Sequence, residues 1–333
     1  MKRAIVTVAL FVFALSAAQA QKLTGAGSTF DYPIFSKWFS EYSAAHPGVQ
    51  INYQSIGSGG GIQQFCQGLV DFGASDMPMS NDMIGKCKVK LVHLPVVLGA
   101  VEPIFNVTGV TNLRFSGETL ANIYLGKITN WNDAQIAKDN PGVKLPDQKI
   151  VVVHRSDGSG TSFIWTDYLS KISKEWKDGP SSGTSPNWPV GVGGKGNEGV
   201  SGLVRQLPGA IGYVELIYAL QNHITAAAVK NSAGNWITAS IDSTTAAAAG
   251  VKDMPADMRV SITNAPGANA YPISSFSWII APVQDPNSAN GKVLGDLLSW
   301  VVKSGQGESA TLYYAPLPAN VAQMDLNIIY SLK

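Results

Sequence analysis

The residues best suited to chemistry lie in one turn, RSDGSGT at positions 155–161, with a cation, an acid, three hydroxyls and two glycines. The β-branched residues 150–153 predict a buried strand before it, and the apolar spacing of residues 163–169 predicts a helix after it. A strand that leads into a helix directs free N–H groups and the positive helix end at one point. The turn is therefore suited to a small anion, which Arg155 could grip through two hydrogen bonds. Such turns also simply cap helices, and the turn alone leaves both interpretations open.

Three other turns have the same character. Strands predicted near residues 24, 52 and 72 each end in a turn that is rich in hydroxyls, glycine or acid, with Thr29, Ser58 and Asp76 as the polar residues. In open α/β sheets, ligands bind beyond the carboxyl ends of the strands. We therefore expect these three turns and the turn at 155–161 to converge on one site.

The first 20 residues are typical of a secretory signal peptide. Lys2 and Arg3 precede an apolar stretch, and residues 18–20 form a small-x-small cleavage site. The apolar stretch is too short to span a membrane comfortably. We expect a mature chain that begins near Gln21 and is soluble outside the cytoplasm.

Charge is sparse along the chain. Charged residues make up 14% of the sequence and form no basic run. Lys2 and Arg3 are two of the 24 basic residues, so the mature chain has one acid more than it has bases. Binding to nucleic acid or to an anionic membrane through bulk charge is therefore disfavoured.

The two cysteines, Cys66 and Cys87, are expected to form a disulfide because the chain is exported and their number is even. Such a bond would close a loop of about 20 residues and typically stabilises a fold by ~3 kcal/mol. The four histidines show no metal-ligand spacing. We therefore predict neither a metal nor another cofactor.

The mature chain is long enough for two domains of roughly 100–200 residues each. Alternating strand and helix patterns predict an α/β fold, and two apolar segments, 91–104 and 275–280, are interpreted as crossings between two lobes. Lobe 1 is predicted to comprise residues 21–98 and 272–333, and lobe 2 residues 99–271. The ligand cleft would lie at the hinge between them.

Enzyme motifs are incomplete. The segment GGKG at 193–196 lacks the Ser or Thr that follows lysine in a phosphate-binding P-loop, and GAGSTF at 25–30 lacks the last glycine of a dinucleotide fingerprint. Neither Ser58 nor Ser159 has a glycine two residues before it, as a nucleophile elbow requires. We expect no catalysis, with a secreted phosphatase as the enzymatic alternative.

Seven motifs follow one another along nearly the whole mature chain. They are GAGSTF (25–30), IGSGG (56–60), VDFGASD (70–76), IYLGKI (123–128), DGSGTSF (157–163), GVGGKGN (191–197) and LPGAIGYVE (207–215). Together they resemble the periplasmic phosphate-binding proteins of high-affinity phosphate ABC transporters. The resemblance implies a periplasmic protein with a two-lobed type II periplasmic-binding-protein fold. It also implies that the protein binds inorganic phosphate, delivers it to ABC permease subunits in the membrane and has no catalytic activity. We also expect a monomer.

The resemblance also implies which residues touch the ligand. The predicted phosphate contacts all lie in turns that follow strands; they are Thr29, Phe30, Ser58, Asp76, Arg155, Ser159, Gly160 and Thr161. Asp157 is predicted to be the ion-pair partner that fixes Arg155. The chain departs from the family pattern at Ser28, where alanine is frequent, at His154, where a second arginine can stand, and in having a cysteine pair. None of these departures is expected to touch the proposed contacts.

A carboxylate in an anion site predicts how the ligand is selected. An ionised Asp76 only accepts hydrogen bonds, and phosphate near neutral pH has a proton to donate, whereas sulfate has none. Facing sulfate, the carboxylate would be an unpaired acceptor and a like charge. A binding protein for another tetrahedral oxyanion, sulfate or arsenate, is the close alternative, and a scavenger or adhesin on the same fold is another.

Overall fold

A computed structural model describes residues 21–251, 253–283 and 289–331, so the predicted signal peptide lies outside the described residues. The strands are β1 (Gln21–Gly27), β2 (Val49–Ser55), β3 (Phe72–Ser75), β4 (Leu91–Asn106), β5 (Arg114–Phe115), β6 (Val151–Arg155), β7 (Val192–Gly194), β8 (Ala210–Glu215), β9 (Thr225–Ala226), β10 (Ala228–Lys230), β11 (Trp236–Ile237) and β12 (Ser274–Pro282). The helices are α1 (Tyr32–Ala45), α2 (Ser58–Gln67), α3 (Asn81–Gly85), α4 (Gly117–Tyr124), α5 (Ala134–Asp139), α6 (Gly160–Ile172), α7 (Lys174–Asp178), α8 (Gly196–Gln206), α9 (Leu216–Gln221), α10 (Ile241–Ala248), α11 (Ala289–Trp300), α12 (Gln306–Ser309) and α13 (Ala319–Ser331). A π-helical turn (Val301–Gly305) follows α11, and a 3-10 turn (Ala310–Leu312) follows α12.

Helix α1 shows how local sequence determines these elements. Phe35, Trp38, Phe39 and Tyr42 recur at helical spacing and are all buried, and a proline occupies the first turn, where its missing N–H costs nothing. The helix ends just before the sequence HPG at 46–48. Strand β1 precedes this helix, and the loop between them carries Thr29 and Phe30 to the end of the sheet.

The main sheet has the strand order β2-β1-β3-β12-β4-β8-β6-β7, with β9 beside β4, and β11-β10-β5 form a small second sheet. Strand β4 joins the two halves of the main sheet, because residues 91–100 pair with β12 and residues 101–106 pair with β8. The segment predicted to be the first crossing is thus one continuous strand. Strands β1, β3 and β6 run parallel to their neighbours β2, β1 and β8, so their carboxyl ends carry turns in the manner predicted.

Strand β12 contacts both halves of the fold. Its residues Phe276 and Trp278 pack in one buried cluster with Ala247, Ala248 and Met258 from the α10 region. Part of the predicted lobe 2 therefore packs against a strand of the predicted lobe 1. The exact lobe boundaries stay a prediction.

The β4–β12 pairing has a bulge beside Ser277. Ser277 pairs with Val97, but the next residue, Trp278, pairs with Pro95, which leaves Val96 without a partner in the register. Proline has no N–H for the ladder, which fits an irregularity on β4 at this point. Ser277 points away from Phe276 and Trp278, because successive side chains of a strand point to opposite faces. Ser277 lies on the face of β12 that meets the ends of β1 and β3.

The predicted disulfide is present and joins Cys66 of α2 to Cys87, beyond α3. None of the helices in the described ranges is long and apolar enough to cross a membrane. Within the same ranges, no group of three or more His, Cys, Asp or Glu side chains is placed to hold a metal ion.

Candidate functional anion site

Four helices begin at one place in the fold. Thr29 lies just before α1, Ser58 opens α2, Thr161 is in the first turn of α6, and Asn197 is in the first turn of α8. The positive ends and free N–H groups of helices attract anions. The turns predicted to converge do so, and they create a field that favours a small anion.

Asp76 lies directly after β3 and is buried. Its Oδ1 accepts hydrogen bonds from the hydroxyls of Ser28 at 2.6 Å and Ser277 at 2.7 Å. Within the described residues, its Oδ2 forms one hydrogen bond, a long one of 3.4 Å from Oγ of Ser58. Burial raises the pKa of Asp76 to about 6, although the serine hydrogen bonds and the charge of Arg155 oppose this rise. The group is therefore mostly ionised at neutral pH.

Arg155 ends β6 and is held by the turn that follows it. Its Nε and Nη2 donate to the two carboxylate oxygens of Asp157 at 2.8 and 2.6 Å, and its Nη1 donates to Oγ1 of Thr161 at 3.2 Å. Burial alone would raise the pKa of Asp157, but the hydrogen bonds and charge of Arg155 and the N–H of Gly196 outweigh it and lower the pKa. The guanidinium is thus fixed at the site by an ionised partner.

Asn197 connects the elements across the site. Its Nδ2 donates to Oγ1 of Thr29 at 2.9 Å and to Oγ1 of Thr161 at 3.2 Å, and its Oδ1 accepts from the N–H of Glu215. Sequence reasoning did not assign Asn197 to the site. The available signal was its place at the end of GVGGKGN, where a glycine-rich turn enters a helix just as at residues 155–161.

Two glycines allow the turns to meet. A Cβ at Gly160 would lie 2.4 Å from Oδ2 of Asp76 and 2.4 Å from Oγ of Ser58. The N–H of Gly59 donates to the carbonyl of Gly158 at 2.8 Å. The two sides of the cleft approach so closely that any side chain at position 160 would separate them.

The remaining predicted residues are buried at the same site. The N–H of Phe30 donates to Oγ of Ser28 at 2.9 Å, so the protein itself engages this predicted ligand donor. Ser159 caps α6, since its Oγ accepts from the N–H of Ser162 at 3.0 Å, and its own hydroxyl hydrogen is still available to donate.

One expectation about the unusual residues is wrong. Ser28 was expected to touch none of the proposed contacts, yet its hydroxyl donates to Asp76 and accepts from Phe30. His154, the other substituted position, stacks on Trp188 with ring centroids 4.8 Å apart. Sequence reasoning also missed Ser277.

Comparison with known proteins places the chain in a family. The sequence model of the PBP superfamily domain matches residues 14–304. The phosphate-binding protein PstS of Xylella fastidiosa (strain Temecula1) is 47% identical over 305 residues, which cover 91% of this chain and 83% of the relative. The phosphate-binding protein PstS of Pasteurella multocida is 45% identical over 97% of this chain and 94% of its own length.

Solved structures show the same fold. A high affinity periplasmic phosphate-binding protein bound with phosphate superposes with a TM-score of 0.74 at 20% identity, covering 91% of this chain and 92% of that chain. A putative phosphate ABC transporter substrate-binding protein from Clostridium perfringens gives a TM-score of 0.66 at 19% identity, covering 90% of this chain and all of the other. The chain therefore has the type II periplasmic-binding-protein fold and belongs, within the PBP superfamily, to the family of the phosphate-binding proteins PstS.

Proposed function

We propose that this protein binds inorganic phosphate in the cleft described above and delivers it to an ABC importer. The observation that carries the proposal is Asp76, a buried carboxylate among hydroxyl donors, helix N-termini and a fixed arginine. Relatives at 45–47% identity are named phosphate-binding proteins, which supports the same ligand here.

The ligand contacts are proposed from this geometry. The donors that would surround the phosphate oxygens are hydroxyls, backbone N–H groups and the Arg155 guanidinium; they come from Thr29, Ser58, Arg155, Ser159, Gly160 and Thr161. Phe30, whose N–H donates to Oγ of Ser28, stays a prediction from the resemblance. Asp157 would hold the guanidinium in place without touching the ligand. Charge-assisted hydrogen bonds contribute ~1.5–3 kcal/mol each, so roughly micromolar affinity (~−8 kcal/mol) or tighter is within reach.

Asp76 would select the ligand by its proton. At neutral pH the carboxylate is ionised and offers Oδ2, which has no short hydrogen bond within the described residues. A protonated phosphate donates to this oxygen, whereas sulfate leaves an acceptor buried and unpaired beside a like charge. Discrimination therefore comes from repulsion of the wrong anion.

The delivery step and the location follow from the family. We propose that the mature protein acts outside the cytoplasm as a monomer and that closure of the lobes, 21–98 with 272–333 against 99–271, is what the permease senses. The protein would itself catalyse no reaction.

Calorimetric titration of the purified mature protein with phosphate, arsenate and sulfate tests the proposal. We expect micromolar or tighter binding of phosphate and at least a hundredfold weaker binding of sulfate at about pH 8. Equal binding of phosphate and sulfate would overturn the proposed selection. Turnover of a phosphomonoester would indicate the phosphatase instead, and tight binding without any interaction with a reconstituted permease would indicate a scavenger.

A further inference from the structure

Two buried carboxyl groups share one serine at the back of the site. Oγ of Ser277 lies 2.7 Å from Oδ1 of Asp76 and also forms a short hydrogen bond with Oδ2 of Asp31. Oδ1 of Asp76 is also 2.6 Å from Oγ of Ser28. Asp31 is fully buried, and its Oδ1 has no hydrogen-bond partner among the described residues. This cluster of two acids and two serines lies behind the proposed ligand contacts.

A count of hydrogens shows that the cluster contains an additional proton. Three contacts join the four side chains, but the two serines supply only two hydroxyl hydrogens. Ser28 uses its hydrogen for Asp76, so Ser277 has one hydrogen for two carboxyl groups. The third contact requires that one of the two acids is itself protonated.

Asp31 is the acid that carries this proton. Asp76 has two short donors and the positive charge of Arg155 in its favour, whereas Asp31 has one partner and one unpartnered oxygen. An ionised carboxylate with a buried, unpaired oxygen is far more costly than a neutral acid. Burial and the charge of Asp76 accordingly raise the pKa of Asp31 well above its ordinary value.

The other ionisable groups near the cluster do not change this result. They are Tyr53, Tyr314 and Glu215, and burial raises the pKa of each well above its ordinary value. The two tyrosines are therefore neutral near pH 7, and the carboxyl group of Glu215 is shifted towards its neutral form. Arg155 and Asp76 are the charges that matter here, together with Asp157, which is paired with the arginine.

We propose that Ser28 and Ser277 are specificity-determining positioning residues. Both donate to Oδ1 of Asp76, which keeps Asp76 ionised. Oδ2 is then the oxygen that accepts the proton of the ligand, so a ligand without a proton is disfavoured. Asp31, as a neutral acid, donates to Ser277 and so directs the serine hydrogen to Asp76. The proposal rests on phosphate binding at this site and names the groups that set its selectivity.

The pH dependence of sulfate binding tests the role of the serines. Sulfate has no proton to offer, so it requires a protonated Asp76, and its affinity in the wild-type protein should improve tenfold per pH unit as the pH falls towards about 6 and then level off. The pH at which sulfate affinity levels off is called the bend below. Loss of one donor raises the pKa of Asp76, so Ser28→Ala and Ser277→Ala should each move the bend to a higher pH by roughly one pH unit. Ser299→Ala removes a different buried serine, which bonds to the carbonyl of Gly295, and should leave the bend in place. A bend that does not move in Ser28→Ala and Ser277→Ala would overturn the proposal.

Asp31→Asn tests the location of the proton. The amide can still donate to Ser277, so the bend should stay within about 0.3 unit of the wild-type position, and phosphate affinity should change less than about threefold. If Asp31 were ionised, removal of its charge would instead lower the bend by a unit or more and tighten phosphate binding. An infrared difference spectrum of wild type minus Asp31→Asn at pH 7 should show the carbonyl band of a protonated carboxyl group, and a carboxylate band in its place would refute the assignment.

These outcomes separate the inference from the proposed function. A wild-type protein that does not prefer phosphate refutes the proposed function itself. A wild-type protein that prefers phosphate, with serine variants whose sulfate profile matches that of the wild type, refutes only the role of the two serines.

Discussion

The substitution Asp76→Asn tests selection most directly, because the structure dictates how the new amide is oriented. Ser28 and Ser277 donate to Oδ1 at 2.6 and 2.7 Å, so the amide oxygen must take that position to accept from them. The amide nitrogen then replaces Oδ2, which lies 3.4 Å from Oγ of Ser58 on the ligand side. The variant therefore replaces an acceptor that faces the ligand with a donor.

The change has opposite effects on the two anions. Phosphate loses the charge-assisted acceptor for its proton, which weakens its binding free energy by ~1.5–3 kcal/mol. Sulfate gains a donor and no longer leaves a buried acceptor unpaired, which strengthens its binding free energy by ~1–3 kcal/mol. The lower limits add to about 2.5 kcal/mol, which narrows the ratio of phosphate to sulfate affinity by roughly sixtyfold or more.

Competition calorimetry at about pH 8 measures both affinities, at a pH where Asp76 of the wild-type protein is ionised because its pKa is about 6. Asp82→Asn is the matched control, since it makes the same chemical change at an exposed acid in the first turn of α3. The control should match the wild type. If Asp76→Asn kept the wild-type ratio of affinities within about threefold, a proton-accepting role for Asp76 would be wrong.

Three other substitutions have defined outcomes. Arg155→Ala should weaken phosphate binding more than about tenfold, measured by calorimetry, because it removes at least one charge-assisted bond; a smaller loss would mean that backbone N–H groups dominate. Replacement of both Cys66 and Cys87 by alanine should lower the free energy of unfolding by ~3 kcal/mol in urea titrations, since the bond joins residues separated by 21 positions, and should leave phosphate affinity unchanged. Gly160→Ala should weaken phosphate binding by roughly a hundredfold or more, because its Cβ would lie 2.4 Å from both Asp76 and Ser58. Gly202→Ala in α8 should bind like the wild type, because a Cβ there would meet no atom of the described residues within 4 Å apart from its own stretch of helix backbone.

The turns that carry the proposed ligand contacts could be located from the sequence because their positions depend on local rules, and the resemblance implied which residues in them touch the ligand. A strand that ends in a glycine- and hydroxyl-rich turn before a helix places that turn at the carboxyl edge of the sheet, wherever the strand lies in the order. Thr29, Ser58, Asp76 and Thr161 were all identified in this way, and the structure brings them together. Asn197 follows the same rule, since the glycine-rich turn after β7 leads directly into α8.

Ser277, one of the two serines that tune Asp76, could not be located in this way, because its position depends on strand register. Ser277 is 201 positions from Asp76 along the chain and lies inside β12, within a segment interpreted only as a crossing. Its side chain reaches the site because successive side chains of β12 alternate between two faces and this strand pairs with β3 just before Asp76. No property of residues 275–280 alone shows which of their serines points to an acid.

Asp31 illustrates the same limit within a local motif. An aspartate just before a helix normally caps it, and residue 31 is the N-cap of α1, yet its side chain makes no capping bond. Its carboxyl group instead bonds to Ser277, beside Asp76. The backbone of Asp31 has helical angles, φ −89° and ψ −7°, whereas a capping residue is usually extended, so its carboxyl group is directed to Ser277 instead of to the first turn of α1. In the proposed cluster, Asp31 at the start of α1 thus carries the additional proton. The selectivity of the site then depends on the tertiary contact between Asp31 and Ser277, which takes the place of a local helix cap.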